Sequence, residues 1–397
     1  MPRLPSLSRV ALVLVVGSLV GCSTTRPPSP SPVAAATPTA PPTTGPSRPA
    51  PSSPRTGTPA HRVIAGPAVA GAFDAATDGT VIAWSSGAVD ADAPELWAFD
   101  PATGRSTLVY RSTVDGAILA NVAVRHGSFA FAEVTPRADG SRTWRFELVD
   151  ANGAVTVLDT NDVPPTMTGI LPMAAVSDHG ILWATTHGRG GEVLDCELRY
   201  AALADLRPRV IEREPCDRTE VWYPRSDGTS FVYGTVEYGP DGTGDDRHVY
   251  LLADADLAHP RRLDRDGEAS LPNVLADTVV WKTAPRDFNM LNGGDIVEHS
   301  LAAAASRPVD LAGGARGRLT IPTIGPGFYA AESDDSAIVR VWDRATSRAV
   351  EIDHLDPADP GFLSGVRLAG DILIWFYTST TQGGGVREIR WLELPAP

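Results

Sequence analysis

From residue 61 to the C-terminus, short apolar runs alternate with turn residues. One pattern recurs: a turn pair, often Asp-Gly, then an apolar stretch ending at an aromatic. It reads Asp78-Gly79-Thr80-Val81-Ile82-Ala83-Trp84, His126-Gly127-Ser128-Phe129-Ala130-Phe131 and His179-Gly180-Ile181-Leu182-Trp183. It returns as Asp227-Gly228-Thr229-Ser230-Phe231-Val232-Tyr233 and Ala276-Asp277-Thr278-Val279-Val280-Trp281. The last copies are Pro326-Gly327-Phe328-Tyr329 and Gly370-Asp371-Ile372-Leu373-Ile374-Trp375. The seven aromatics are spaced by 47, 52, 50, 48, 48 and 46 residues. A period near 48 is the mark of a repeat architecture.

Each copy is followed by a hairpin pattern. Leu96 to Val109 is the clearest, with Asp100-Pro101-Ala102-Thr103-Gly104 at its tip; equivalents lie at 144–158, 196–211, 248–263, 295–311 and 338–352. Gly, Asp and Pro serve the turns, and Val, Ile, Leu and aromatic richness favours strands. Four antiparallel strands per repeat predict an all-β seven-bladed β-propeller. The strand before the turn is innermost, the aromatic-bearing strand second, and the hairpin supplies the third and fourth. The seventh copy ends at its third strand, Glu388 to Leu394. The segment His61 to Gly66 is expected to supply the missing fourth and close the ring, leaving no open edge. One domain over residues 61–397 follows.

The repeats resemble those of TolB-type propellers. The nearest copy is Ser226-Asp227-Gly228 with the strand to Tyr233, followed by His248-Val249-Tyr250-Leu251-Leu252-Ala253-Asp254 and Pro260-Arg261-Arg262-Leu263. That family has Ser-Pro-Asp-Gly at the turn, whereas Pro is absent here. The resemblance implies a fold more than an activity, because the family spans periplasmic interaction modules and peptidase-associated domains.

The first 60 residues differ in kind. Arg3 and Arg9 precede an apolar run of eleven residues, Val10 to Val20. That is too short to span a bilayer and suits a signal-peptide core. Leu19-Val20-Gly21-Cys22 resembles the lipobox of bacterial lipoproteins, which implies cleavage after residue 21 and acylation, palmitate included, at Cys22. The competing reading is an ordinary secretory signal with a chance cysteine. Residues 23–60 hold twelve prolines, three arginines and no acid, so residues 22–60 are expected to be a disordered tether. The expected location is the cell membrane, lipid-anchored on the extracytoplasmic face.

All 48 acids lie beyond residue 60, against 29 of the basic residues, a net of −19 for residues 61–397. Such a charge argues against nucleic acid as a partner. A monomer without cofactor or metal is expected. Asp241 to Asp246 lacks the glycine of a calcium loop, and His179 and His187 are too loosely spaced for a zinc pair. No Gly-x-Ser-x-Gly occurs, and Ser177-Asp178-His179-Gly180 is out of register for a sialidase Asp-box. No catalytic residue is assigned.

Cys196 and Cys216 flank the proposed turn at Asp205-Leu206-Arg207, so antiparallel pairing would set them opposite each other. A disulfide fits an oxidising compartment; free thiols or a metal pair are the alternatives. The long loops expected on one face are 85–95, 134–143, 186–195, 236–247, 283–294 and 379–387, and long loops carry function more often than tight turns. Arg286, Phe288 and Met290 on one of them are candidate binding residues. So are Trp222 and Tyr223, on an innermost strand where Leu171-Pro172 and Leu271-Pro272 are taken as counterparts. Both could line the channel mouth or simply fill a gap in their blade.

Two functions remain. One is a non-enzymatic envelope module for a protein, peptide or glycan. The other is a propeller enzyme, a hydrolase or lyase acting on extracellular glycans, which requires convergent carboxylates in a deep pocket.

Overall fold

The computed structural model describes residues 60–395, except 67, 70, 73, 87–92, 138–141, 164–170, 189–193, 240–244, 284–294, 310–321, 334–335, 347, 357 and 381–385; for 161–163 and 245 only the backbone is described. Cys22, Arg286, Phe288 and Met290 lie outside these residues, as do the tips of the expected loops.

Seven four-stranded antiparallel sheets form the fold, and the described residues contain no helix. Blades 1 to 6 run over 75–111, 118–163, 173–215, 219–262, 269–308 and 323–354. Blade 7 takes three strands from 362–393 and its outermost strand from Arg62–Ala65. Arg62 faces Trp391 and Ala65 faces Glu388 across that closing pair, as the orphan strand predicts.

The core is divided into seven apolar clusters, one per blade interface. Burying apolar side chains between blades drives the sheets together, at about 25 cal/mol per Å². The repeat aromatics Trp84, Phe131, Trp183, Tyr233, Trp281, Tyr329 and Trp375 are all buried on second strands. A buried indole N–H or phenol needs an acceptor. Four of these aromatics find a carboxylate on the preceding blade. Trp183 Nε1 donates to Asp159 at 3.1 Å, Tyr233 to Glu212 at 2.6 Å and Trp375 Nε1 to Asp353 at 2.6 Å, and Tyr329 to Glu298. Trp84 uses the Ala68 carbonyl at 2.7 Å instead.

The Asp-Gly turns also bind blade to blade. Asp78 Oδ1 accepts the N–H groups of Thr80 and Val81, while Oδ2 accepts His126 N–H of the next blade at 2.9 Å. Asp227 repeats this with Thr229, Ser230 and Ala276. Burial opposes ionisation of Asp78, but these bonds outweigh it and hold its carboxyl below the usual range. Gly79 has a φ of +91°, and a Cβ there would stand 2.9 Å from the Ala369 carbonyl oxygen, so this turn needs glycine.

Three sequence expectations are corrected. Several loops are shorter than expected, because the second and third strands keep pairing: Pro136 faces Arg142, Gly188 faces Leu194 and Tyr238 faces Asp245. Extending the ladder satisfies backbone groups whatever the side chains are. Cys196 and Cys216 do lie at disulfide distance, with Cα atoms 4.9 Å apart, yet they are not register partners. Even with the one-residue bulge between Leu198 and Arg199, the ladder sets Cys196 opposite Glu214, so the pair is diagonal. Replacing both cysteines by Ser is expected to cost roughly 3 kcal/mol, read as a lower urea midpoint under oxidising conditions. An unchanged midpoint would show that the bridge contributes nothing.

The third correction concerns Trp222 and Tyr223. Their innermost strand carries a bulge between Trp222 and Arg225, and the strand of blade 5 carries one between Ser270 and Asn273. Tyr223 is therefore the counterpart of Leu271, and Trp222 of Ser270. Leu171-Pro172 precedes an unbulged strand and is not equivalent.

Candidate functional site at the propeller axis

Innermost strands ring the axis of a propeller, so their unusual residues are candidates for ligand contact. Bulges recur on four of them, in blades 2, 4, 5 and 7. Each holds a residue of positive φ: Asn121 (+56°), Tyr223 (+48°), Leu271 (+54°) and Gly365 (+68°). An aromatic with positive φ is an outlier that the surrounding structure must hold.

The register defines one equivalent position per blade, opposite the residue that precedes the buried aromatic. It is Ala76, Ala123 and Ala175 in blades 1 to 3 and Asn273 in blade 5. In blades 4 and 7 it is Arg225 and Arg367. The two arginines share a geometry. Each donates Nη1 to the carbonyl of its preceding residue, Pro224 or Val366, at 3.0 Å. Among the described residues neither guanidinium makes an ion pair. Arg225 lies over the Tyr223 ring, 5.8 Å from its centre.

Charges from separate blades converge here. Arg225 of blade 4 feels Arg367 of blade 7 and Asp74, which precedes the innermost strand of blade 1. Blades 4 and 7 are not neighbours in the ring, so this coupling runs across the axis. Burial and then the like charge of Arg367 press Arg225 down to about 10, against partial relief from Tyr223 and Asp74. It remains a cation at neutral pH. Burial raises the Asp74 carboxyl, with Arg367, two backbone N–H groups and Arg225 opposing. Those N–H groups belong to Val122, at 2.7 Å, and Ala75, at 2.9 Å. Burial also raises the Tyr223 phenol, which stays protonated and able to donate.

Trp222 stacks on Tyr223 with ring centres 5.9 Å apart and planes at 30°. Its Nε1 is buried without a hydrogen-bond partner, an arrangement that costs roughly 1–3 kcal/mol. Gly234 faces Trp222 in the register and offers no side chain in its way. By contrast, Asn121 and Asn273 are satisfied, bonding the Pro172 carbonyl at 2.8 Å and Thr323 at 3.2 Å in the next blade. Among the described residues no group of three or more His, Cys, Asp or Glu could hold a metal ion.

Of the candidate residues read from sequence, the structure brings together Trp222 and Tyr223. Asp74, Arg225 and Arg367 went unnoticed. For the two arginines the available signal was the repeat itself: a charged residue where blades 1 to 3 carry alanine departs from the blade pattern.

No family model matches this chain, and no curated protein matches it. Solved structures do. The β-propeller domain of the Trilobed protease from Pyrococcus furiosus aligns with a TM-score of 0.56 at 10% identity, covering 81% of this chain and 93% of that one. That domain has an open velcro topology, whereas Arg62–Ala65 closes the ring here. An oligogalacturonate lyase in complex with manganese aligns at 0.51 and 13% identity, covering 80% and 87%. TolB from Acinetobacter baumannii aligns at 0.40 and 13% identity, covering 81% and 66%. At these identities the likeness to the protease domain and the lyase shows the propeller fold.

Proposed function

We propose that this chain is an extracytoplasmic lipoprotein, acylated at Cys22, whose propeller is a non-enzymatic binding module for a protein, peptide or glycan of the cell envelope. The ligand engages the axis beside Trp222 and Tyr223. One observation carries this reading: the stacked pair holds a buried, unpartnered indole N–H and a positive-φ tyrosine beside two arginines that make no ion pair among the described residues. A fold tolerates such features where a ligand repays them. Propellers resembling this one belong to a protease and a lyase, so the fold is compatible with either class of function. The axial groups are recognition chemistry: aromatic faces, a free donor and cationic forks.

Two measurements test it. Cys22→Ala is expected to abolish labelling by a palmitate analogue and to release the protein from the membrane fraction; persistent labelling refutes acylation at this residue. Separately, the full chain in detergent is titrated against native envelope fragments. A buried Trp anchor contributes about 2 kcal/mol or more to binding, so Trp222→Ala should weaken binding about 30-fold. Equal binding by the variant would exclude the axis as the site.

A further inference from the structure

We propose that Arg225 and Arg367 form a carboxylate-binding site across the propeller axis, and that the ligand presents one carboxylate group to it. The inference rests on the axial-binding reading and adds the chemical class of the ligand. Three observations lead to it.

The first is position. Arg225 and Arg367 occupy the same register place on innermost strands of blades 4 and 7, immediately after the same kind of bulge. Their bulges are short detours that set both stems in the same relation to the backbone. In each case Nη1 is taken by the preceding carbonyl. That bond restrains the guanidinium, and among the described residues Nε and Nη2 bond no partner. Two parallel N–H groups on one edge match the two oxygens of a carboxylate.

The second is charge. Elsewhere in the described protein, arginines reaching between strands are matched: Arg145 with Glu133 and Glu147, Arg199 with Asp159 and Glu197, Arg390 with Asp353 and Glu388. At the axis, by contrast, the charge acting on Arg225 is that of a second arginine, Arg367, together with the acid Asp74. The oxygens of Asp74 are engaged by the N–H groups of Val122 and Ala75, and it makes no ion pair with either arginine. One added anion would relieve the repulsion between the two cations. In a chain with a net charge of −14, an uncompensated cationic pair on the axis also discriminates: the surface repels anions in general, and only one that reaches the axis is held.

The third is the neighbourhood. Tyr223 lies under Arg225, and its phenol has no hydrogen-bond partner among the described residues. Trp222 also stacks on Tyr223 and carries a free N–H. These groups offer donors and a flat apolar face to whatever carries the carboxylate, while the two guanidinium charges repel a cationic ligand.

A carboxylate could come from an acidic sugar or from a peptide C-terminus, and the two sources are separable. The full chain in detergent is titrated calorimetrically with D-glucuronate and with D-glucose, and with N-acetyl-Ala-Ala as the free acid and as the amide. A glucuronate response alone identifies the sugar source, and a free-acid response alone identifies the peptide source. Either supports the proposal when the neutral analogue binds at least about tenfold more weakly. Arg225→Gln and Arg367→Gln are each expected to lower the affinity for the responding probe about tenfold or more. Arg367→Lys, which keeps the charge but loses the fork, should recover only part of it. If a glutamine variant fails to fold, competition of the bound probe by sodium acetate in the unaltered protein replaces it. No response to either acid, or equal affinity in wild type and variants, overturns the carboxylate site. Such a result alongside a Trp222-dependent envelope interaction would leave the binding module intact and remove only its anion specificity.

Discussion

Ile64→Asp is expected to cost about 4 kcal/mol or more and to lower the urea midpoint of the whole propeller, while Val63→Asp, one residue earlier, stays within about 0.5 kcal/mol of wild type. The difference comes from the two faces of the closing strand. Ile64 is 8% exposed and packs with Trp84, Ile389 and Trp391 where blades 7 and 1 meet. Val63 points the other way and is 46% exposed. Losing the aliphatic side chain removes cavity-lining contacts, and the carboxylate would have to be desolvated or expel the strand. Among the described residues Arg62–Ala65 alone pairs with the outer edge of Val386–Glu393, so its loss also exposes that backbone to edge-to-edge association. Equilibrium unfolding with both variants checks this. Equal midpoints would mean that the closing strand is dispensable.

Asp159→Ala should destabilise the protein by about 3–5 kcal/mol, because it breaks a buried hub and leaves its partners unpaired. Asp159, on the outer strand of blade 2, accepts from Trp183 Nε1, pairs with His187 Nε2 at 3.1 Å and receives Arg199 Nη1 at 3.0 Å. One carboxylate thus connects two blades through three residues of blade 3. Burial alone would raise its proton affinity, but the bond to and charge of His187, the bond from Trp183 and the charge of Arg199 outweigh it. The folded protein therefore holds this carboxyl below its ordinary 3.8. A depressed folded value means a stabilisation that is present above the unfolded value and lost as pH falls through the folded one. Below about pH 5 the gap between wild type and Asp159→Asn should shrink as the carboxyl takes up its proton. A gap that keeps widening below that pH would contradict the hub. Asp353, with Trp375 and Arg390, repeats the arrangement between blades 6 and 7, and the same substitution there is a direct check on generality.

The fold was legible because it is written in local features that repeat. Strand periodicity, Asp-Gly turns and a buried aromatic each satisfy a short-range requirement, and seven copies reinforce one another. The Asp78 and Asp227 turns show why the motif persists: one oxygen pair serves both its own turn and the next blade. The closing strand was legible by subtraction, since one blade lacked a strand and one strand lacked a blade. The register was not. Bulges at Leu198/Arg199 and Trp222/Arg225 leave no distinctive residue pattern, yet each displaces partners by one position. Cys196 faces Glu214 and so meets Cys216 diagonally.

The aromatic pair at Trp222 and Tyr223 could be noticed in the sequence as a departure from neighbouring repeats. Its chemical setting could not. Asp74, Arg225 and Arg367 are separated by about 150 residues at each step, and nothing local links them. By itself the sequence determined the blade count, the strand order within each blade and the strand that closes the ring, because those follow from hydrogen bonding and burial within some 50 residues. Only the tertiary structure decided which residues share the axis, because closing the ring brings innermost strands from blades 1, 4 and 7 around one line. Charges that are remote along the chain then act on one another across it.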